Sequence, residues 1–408
     1  MNRLNNLDVF SPVFMFPFTL ICYFVAGIVF DFGRSDLFML KDNIIPVVGL
    51  GLCSFIIAAL ITSKRRIRFP SFKVTFKFIY IFYLLFFAGI ISYLSMVSTG
   101  EIGLKDESIR RSLDPKKYFL SSFLWFSSLY IGFHHLKVER TKKSRLWLFF
   151  MLLFFNIAAF ILMGYRTPIV IMCFVSLITF HYTVRKLKFQ TFLVITILFT
   201  SVLCFFGFYR TMTEDQQIKF NTHEISQTKE QEKKESNELI KVNSTPKWIR
   251  GVTEPFATGR IVLSRIIEYE NENGNLSGKL HLSIFQTLMP GEQKSPRVLV
   301  TDAVNSLSDT GRPVTREGRT TTPTLVGQFY LDGGYVLVIT GFSLVGLVLG
   351  MIYNHVITSS NTSYWPIVYA FFLTVMTISI HTGLLDSLFI LMLCISLLIG
   401  VIDSNAKE

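Results

Sequence analysis

Residues 189–243 read FQTFLVITILFTSVLCFFGFYRTMTEDQQIKFNTHEISQTKEQEKKESNELIKVN. The opening part is almost wholly apolar. The closing part is Glu, Lys, Gln, Asn and Ser with few apolar residues, and it cannot bury enough surface to offset its ordering entropy. One change of composition thus separates a segment suited to a hydrocarbon solvent from one suited to water. On the N-terminal side, apolar runs occupy Ser11–Phe30, Ile44–Thr62, Val74–Val97, Tyr118–Leu136, Leu146–Gly164, Pro168–Val184 and Phe189–Phe208. On the C-terminal side they resume at Gly334–Ile357, Tyr364–His381 and Leu384–Val401. Each is about 17–24 residues, the length with which a helix crosses a hydrocarbon core of about 30 Å. These runs predict an all-α polytopic membrane protein of about ten transmembrane helices. A large extracytoplasmic loop, 209–333, would divide a seven-helix region, 1–208, from a three-helix region, 334–408. Hydrophobic residues make up 50% of the chain, Phe alone numbers 41, and the mean hydropathy is +0.46. The first run lacks a small-residue cleavage site and is as long as its successors, so it reads as a span rather than a signal peptide.

Lys and Arg in the short loops set the expected orientation. Lys64, Arg65, Arg66, Arg68 and Lys73 follow the second run. Lys137, Arg140, Lys142, Lys143 and Arg145 follow the fourth, and Arg185, Lys186 and Lys188 the sixth. These clusters share one side, which should be the cytoplasm. Both termini then lie inside and the large loop outside. The net charge of +12 is mostly a product of this arrangement. No basic patch with interleaved aromatics marks a nucleic-acid surface. Cys22, Cys53, Cys173, Cys204 and Cys394 all fall inside apolar runs, without metal-ligand or redox spacing, and read as small packing residues. No internal repeat of the transporter kind is visible.

The large loop divides by composition. Within Pro246–Glu272, Val262, Leu263, Ile266 and Ile267 fall on one side of a helical wheel; Arg260, Ser264, Arg265 and Glu268 fall on the other. Such a helix could lie on the membrane surface or cap the bundle. The apolar segment Leu280–Leu288 is too short to span and predicts a re-entrant or interfacial piece. Gly333-Gly334 at the start of the eighth run suggests a special turn or a close backbone approach. On the same expected face lies the tight turn Gly164-Tyr165-Arg166-Thr167-Pro168. Two placements are open to Arg166: reaching out to lipid headgroups, or facing the bundle interior toward an anionic partner.

Several arginines thus converge on one face of a bundle. The forked guanidinium suits a phosphate or pyrophosphate at a membrane interface. Arg166, Arg260, Arg265 and Arg319 could hold a lipid diphosphate and stabilise the charge that develops as it leaves. There is no Walker loop, no glycine-rich strand-to-helix turn, and no Asp-x-Asp pair for a metal and sugar nucleotide; a lipid donor needs none of them.

The tract GRTTTPTLVGQFYLDGG, residues 318–334, resembles the loop-to-helix junction of bacterial O-antigen and capsule repeat-unit polymerases of the Wzy type. The Gly164–Pro168 turn resembles their Gly-x-Arg connection between central spans. Ten or more spans with one dominant late outer loop is also their layout. The resemblance implies a fold related to the GT-C class and a metal-independent glycosyltransferase without a cofactor. It implies a location in the bacterial cytoplasmic membrane. There the enzyme would join undecaprenyl-pyrophosphate-linked oligosaccharides on the outer face, among membrane lipid, with chain-length regulator and flippase proteins as partners. Arg166, Arg319, Asp332 and Glu268 would be catalytic. Arg260, Arg265, Tyr165, Tyr330 and His281 would bind substrate. The base that activates the acceptor hydroxyl stays open among Asp332, Glu268 and His281. An O-antigen ligase using the same donor, and a flippase or other transporter, remain alternative readings. Spans nearly free of charge argue against a transporter.

Overall fold

The computed structural model describes residues 8–30, 43–64, 78–102, 113–138, 143–195, 247–287, 294–306, 320–358 and 363–403. Among the described residues every regular element is a helix. In chain order these are α1 (Pro12–Val29), α2 (Ile45–Lys64), α3 (Ile79–Ser98), α4 (Pro115–Val138), α5 (Lys143–Leu162) and α6 (Arg166–Thr183). Then come α7 (Lys247–Asn273), α8 (Lys279–Gln286), α9 (Pro296–Ser306), α10 (Thr324–Thr358), α11 (Trp365–Thr382) and α12 (Ser387–Asp403).

Seven of the described helices are long and apolar enough to cross a membrane: α1, α2, α3, α5, α6, α10 and α11. The segments expected as fourth and tenth spans form α4 and α12. α4 is long but less apolar, and the apolar part of α12 falls in the shorter class. Helix opens at residue 189, where the seventh run was expected, and is described to residue 195; the rest of that run lies outside the described residues. Large apolar side chains stand open on the outside of the bundle, among them Leu84, Ile91, Phe154 and Val336, each more than two-thirds exposed. Water would not tolerate such a belt; lipid would.

α10 packs lengthwise on α2. A Cβ on Gly346 would overlap the Phe55 carbonyl, and one on Gly350 would overlap Thr62 Oγ1. The Gly346-x-x-x-Gly350 spacing thus removes side chains along one stripe and lets the two backbones close, as membrane helices do when no water drives them together. Asn354, one further turn along, donates its amide to Ser63 O at 3.0 Å and so closes the end of the seam.

α10 also departs from expectation. The eighth span was expected to begin at Gly334, but helix begins ten residues earlier at Thr324 and is broken internally. Gly333 and Gly334 are non-helical, and Gly334 has φ 59°, ψ −151°, a combination essentially reserved for glycine. The break frees carbonyls at the end of the 324–332 half-helix. The turn before α8 satisfies two of them: Leu276 N–H donates to Leu331 O at 2.9 Å and Gly278 N–H to Asp332 O at 3.2 Å.

At the other end of the bundle the segment before α1 folds inward. Val9 and Phe10 are fully buried. The Asp8 carboxylate accepts the Tyr182 hydroxyl at 2.9 Å and the Tyr353 hydroxyl at 2.8 Å, and Tyr369 donates to Phe10 O. This hook ties the chain start to α6, α10 and α11.

Candidate active site

α7 crosses one end of the bundle, packed on α1 and α10. Its contact with α1 is close: a Cβ on Gly259 would overlap the Tyr23 hydroxyl, and one on Gly27 would sit 2.8 Å from Phe256 O. Beneath it a cavity of about 420 Å³ runs between α1, α6 and α11. Most of its wall is apolar, including Met15, Phe174, Ile178 and Leu373. Its polar groups include Arg166, Tyr23 and His381. Each sits toward the α7 end of its helix: Arg166 is the first residue of α6, His381 lies in the last turn of α11, and Tyr23 lies in the second half of α1. Gly164, with φ 73°, turns the chain so that α6 starts with Arg166 lining the cavity. Tyr23 Oη lies 2.8 Å from His381 Nδ1 and 3.1 Å from Pro255 O, which joins α1, α7 and α11 at this point.

Arg166 is half-buried and lines this cavity. Tyr23 and His381 were not singled out by sequence reasoning. The available signal was depth: each is a polar-tipped residue in the half of its own apolar run on the side shared with Arg166. Tyr165 turns the other way, its ring 4.6 Å from that of Tyr118 on α4.

The sequence leaves α7 open between a membrane-surface helix and a cap on the bundle, and its burial favours the cap. Ile261 through Glu268 are all buried, so this part of α7 runs through protein rather than along a surface. Arg265 is 2% exposed and pairs with Glu268 at 2.6 Å; the carboxylate is spent on that arginine. The Arg260 stem lies against Gly27 of α1. Arg319 lies outside the described residues. Thr321, in the same tract, donates its N–H to Thr301 Oγ1 of α9 at 3.0 Å.

Tyr330 and Asp332 lie on the 324–332 half-helix. Tyr330 donates its hydroxyl to Glu270 Oε2 of α7 at 3.2 Å. Asp332 is 1% exposed, and both its oxygens are engaged. Oδ1 accepts Leu280 N–H at 2.9 Å; Oδ2 accepts His281 N–H at 3.1 Å and pairs with His281 Nδ1. Asp332 therefore caps the first turn of α8 from another helix. His281 Nε2 lies 3.2 Å from Gln328 Nε2. Gln328 is itself held by Leu384, whose N–H donates to Oε1 at 2.6 Å and whose carbonyl accepts from Nε2 at 3.3 Å. Leu384 follows directly on the end of α11, where His381 and Thr382 line the cavity.

A family model described as "Putative O-antigen polymerase" matches residues 8–229 and 258–393. No curated protein and no solved structure matches the chain. The match takes in the cavity walls from α1, α6 and α11, the Arg166 turn, and the α8–α10 network. The chain belongs to the O-antigen polymerase family.

Proposed function

We propose that this membrane protein is a bacterial repeat-unit polymerase whose donor is a polyprenyl-pyrophosphate-linked oligosaccharide, undecaprenyl in its usual form. The cavity under α7 is the observation that carries this reading: a long apolar slot with an arginine, a tyrosine and a histidine at one end. An isoprenoid tail matches the apolar walls and a pyrophosphate matches the mouth. The α7 end then faces the outside of the cytoplasmic membrane, in keeping with Lys and Arg clusters on the opposite side. Arg166 holds the pyrophosphate and stabilises the charge it gains as the growing glycan leaves it. Arg319, carried by the tract that leads into α10, supplies a second positive charge. The acceptor is the terminal sugar of a second lipid-linked unit, and neither a metal nor a cofactor is called for by this scheme. Arg265 is already paired with Glu268, which speaks against it as a donor contact; Arg260, half-buried on the same helix, stays a candidate.

Removing a charged donor from a developing anion costs about 3 kcal/mol, or roughly a hundredfold in rate. Arg166→Ala should therefore abolish visible chain extension on a polysaccharide gel while the protein still inserts at its normal level. Arg166→Lys should recover little, because Lys keeps the charge and loses the fork. Val170→Trp, which narrows the slot below the mouth, should weaken extension without touching any charge. Normal polymer from Arg166→Ala and Val170→Trp together would overturn the assignment of the cavity.

A further inference from the structure

The α8–α10 network has a property that a capping interaction alone does not require. Both ring nitrogens of His281 are assigned by their neighbours. Nδ1 faces the Asp332 carboxylate, which only accepts, so Nδ1 carries the proton. Nε2 faces the Gln328 amide nitrogen, which only donates. Gln328 cannot be turned over to reverse this, because Leu384 N–H fixes its oxygen and Leu384 O accepts from its nitrogen. In the neutral imidazole these neighbours place the proton on Nδ1 and the lone pair on Nε2. Phe329 lies flat against its ring, 5.7 Å between centroids and 6° between planes, which fixes the ring plane. The side chain is still 32% exposed, whereas Asp332 is sealed. Of the base candidates, Glu268 is paired with Arg265 through Oε2 and Asp332 is held by three donors, whereas the His281 lone pair meets one neutral amide N–H at 3.2 Å on a side chain 32% exposed.

We infer that His281 is the general base for the acceptor hydroxyl, with Asp332 and Gln328 as its positioning residues. This rests on the polymerase reading above. The acceptor O–H takes the place of the Gln328 N–H at Nε2. Its proton passes to Nε2 as its oxygen bonds to the anomeric carbon of the donor. The bond from that carbon to the pyrophosphate oxygen breaks, and its electron pair leaves with the lipid pyrophosphate. Asp332 stabilises the imidazolium until it loses its proton to water. Through Gln328 and Leu384, His281 is joined to the segment that follows His381 and Thr382, which line the cavity.

The test uses the full chain in proteoliposomes, supplied with lipid-linked repeat units extracted from a strain that lacks the gene. His281→Asn keeps a donor for Asp332 and lacks the lone pair. It should melt like the wild type and extend chains at least a hundredfold more slowly, within the usual range for a general base. His281→Ala should be equally slow and should recover on addition of imidazole. Asp332→Asn should lower kcat with KM for the lipid-linked unit unchanged. Extension by His281→Asn at the wild-type rate would show that the network is only a latch, and an imidazole addition that restores nothing to His281→Ala would overturn the base as well. A wild-type protein that joins no units takes down both the polymerase reading and the base. Full activity in Arg166→Ala removes the donor cavity alone.

Discussion

Glu268 and Arg265, expected to be catalytic and substrate-binding, show how charged residues can take on a structural role as a pair. A carboxylate on the polar side of a helix near several arginines suggests acid–base work. In the folded chain it neutralises a side chain that other elements have buried. Removing one partner of a buried pair costs about 3–5 kcal/mol, well above the effect of breaking an exposed one. Glu268→Ala should therefore lower the thermal stability of the detergent-solubilised protein sharply and reduce the folded yield. Glu268→Gln, which keeps an acceptor for the guanidinium, should fall between it and the wild type. A Glu268→Ala protein that melts normally and makes no polymer would restore the catalytic assignment. Arg166 was legible because a lone arginine between glycine and proline among apolar residues has few structural uses. Tyr23 and His381 were not, since each looks ordinary within its own run and gains meaning only beside the others.

At the scale of elements, hydropathy located the long helices because lipid selects strongly for apolar length. It could not see the 324–332 half-helix. That stretch contains Gln328 and Asp332, and Gly333-Gly334 reads as a boundary when it is a break inside one element. The polar residues there are satisfied by α8 and by the loop after α11, contacts that no local pattern announces. The α2–α10 seam is the opposite case, with its mechanism written in the spacing of Gly346 and Gly350. Gly346→Leu should push the two helices apart. The cost should be about 1–3 kcal/mol, the usual penalty of overpacking, and should appear as a lower melting temperature and a broader size-exclusion peak. An unchanged melting temperature would mean that the seam is looser than the backbone contacts require.

For the whole molecule, the distribution of Lys and Arg predicts which side each loop occupies. Reporter fusions at Glu232 and Ser359, both outside the described residues, should report opposite sides of the membrane, with Glu232 outside. Two cytoplasmic signals would invert the α7 end and remove the proposed pyrophosphate site from the outer face. The family match passes over residues 230–257, which contain much of the Glu- and Lys-rich stretch that has little to pack. It resumes on α7 just before the buried part of that helix.

The hook at the start of the chain sets a timetable. Asp8 precedes its partner Tyr353 by 345 positions. At about 5–20 residues per second, a ribosome needs roughly 20–70 s to cover that interval. Throughout it, α1 can sit in the bilayer while the carboxylate that precedes it still lacks one of its two tyrosines. The end of the bundle held by Asp8 therefore stays open until α10 is made, and a nascent chain released before α10 would leave Asp8 without Tyr353.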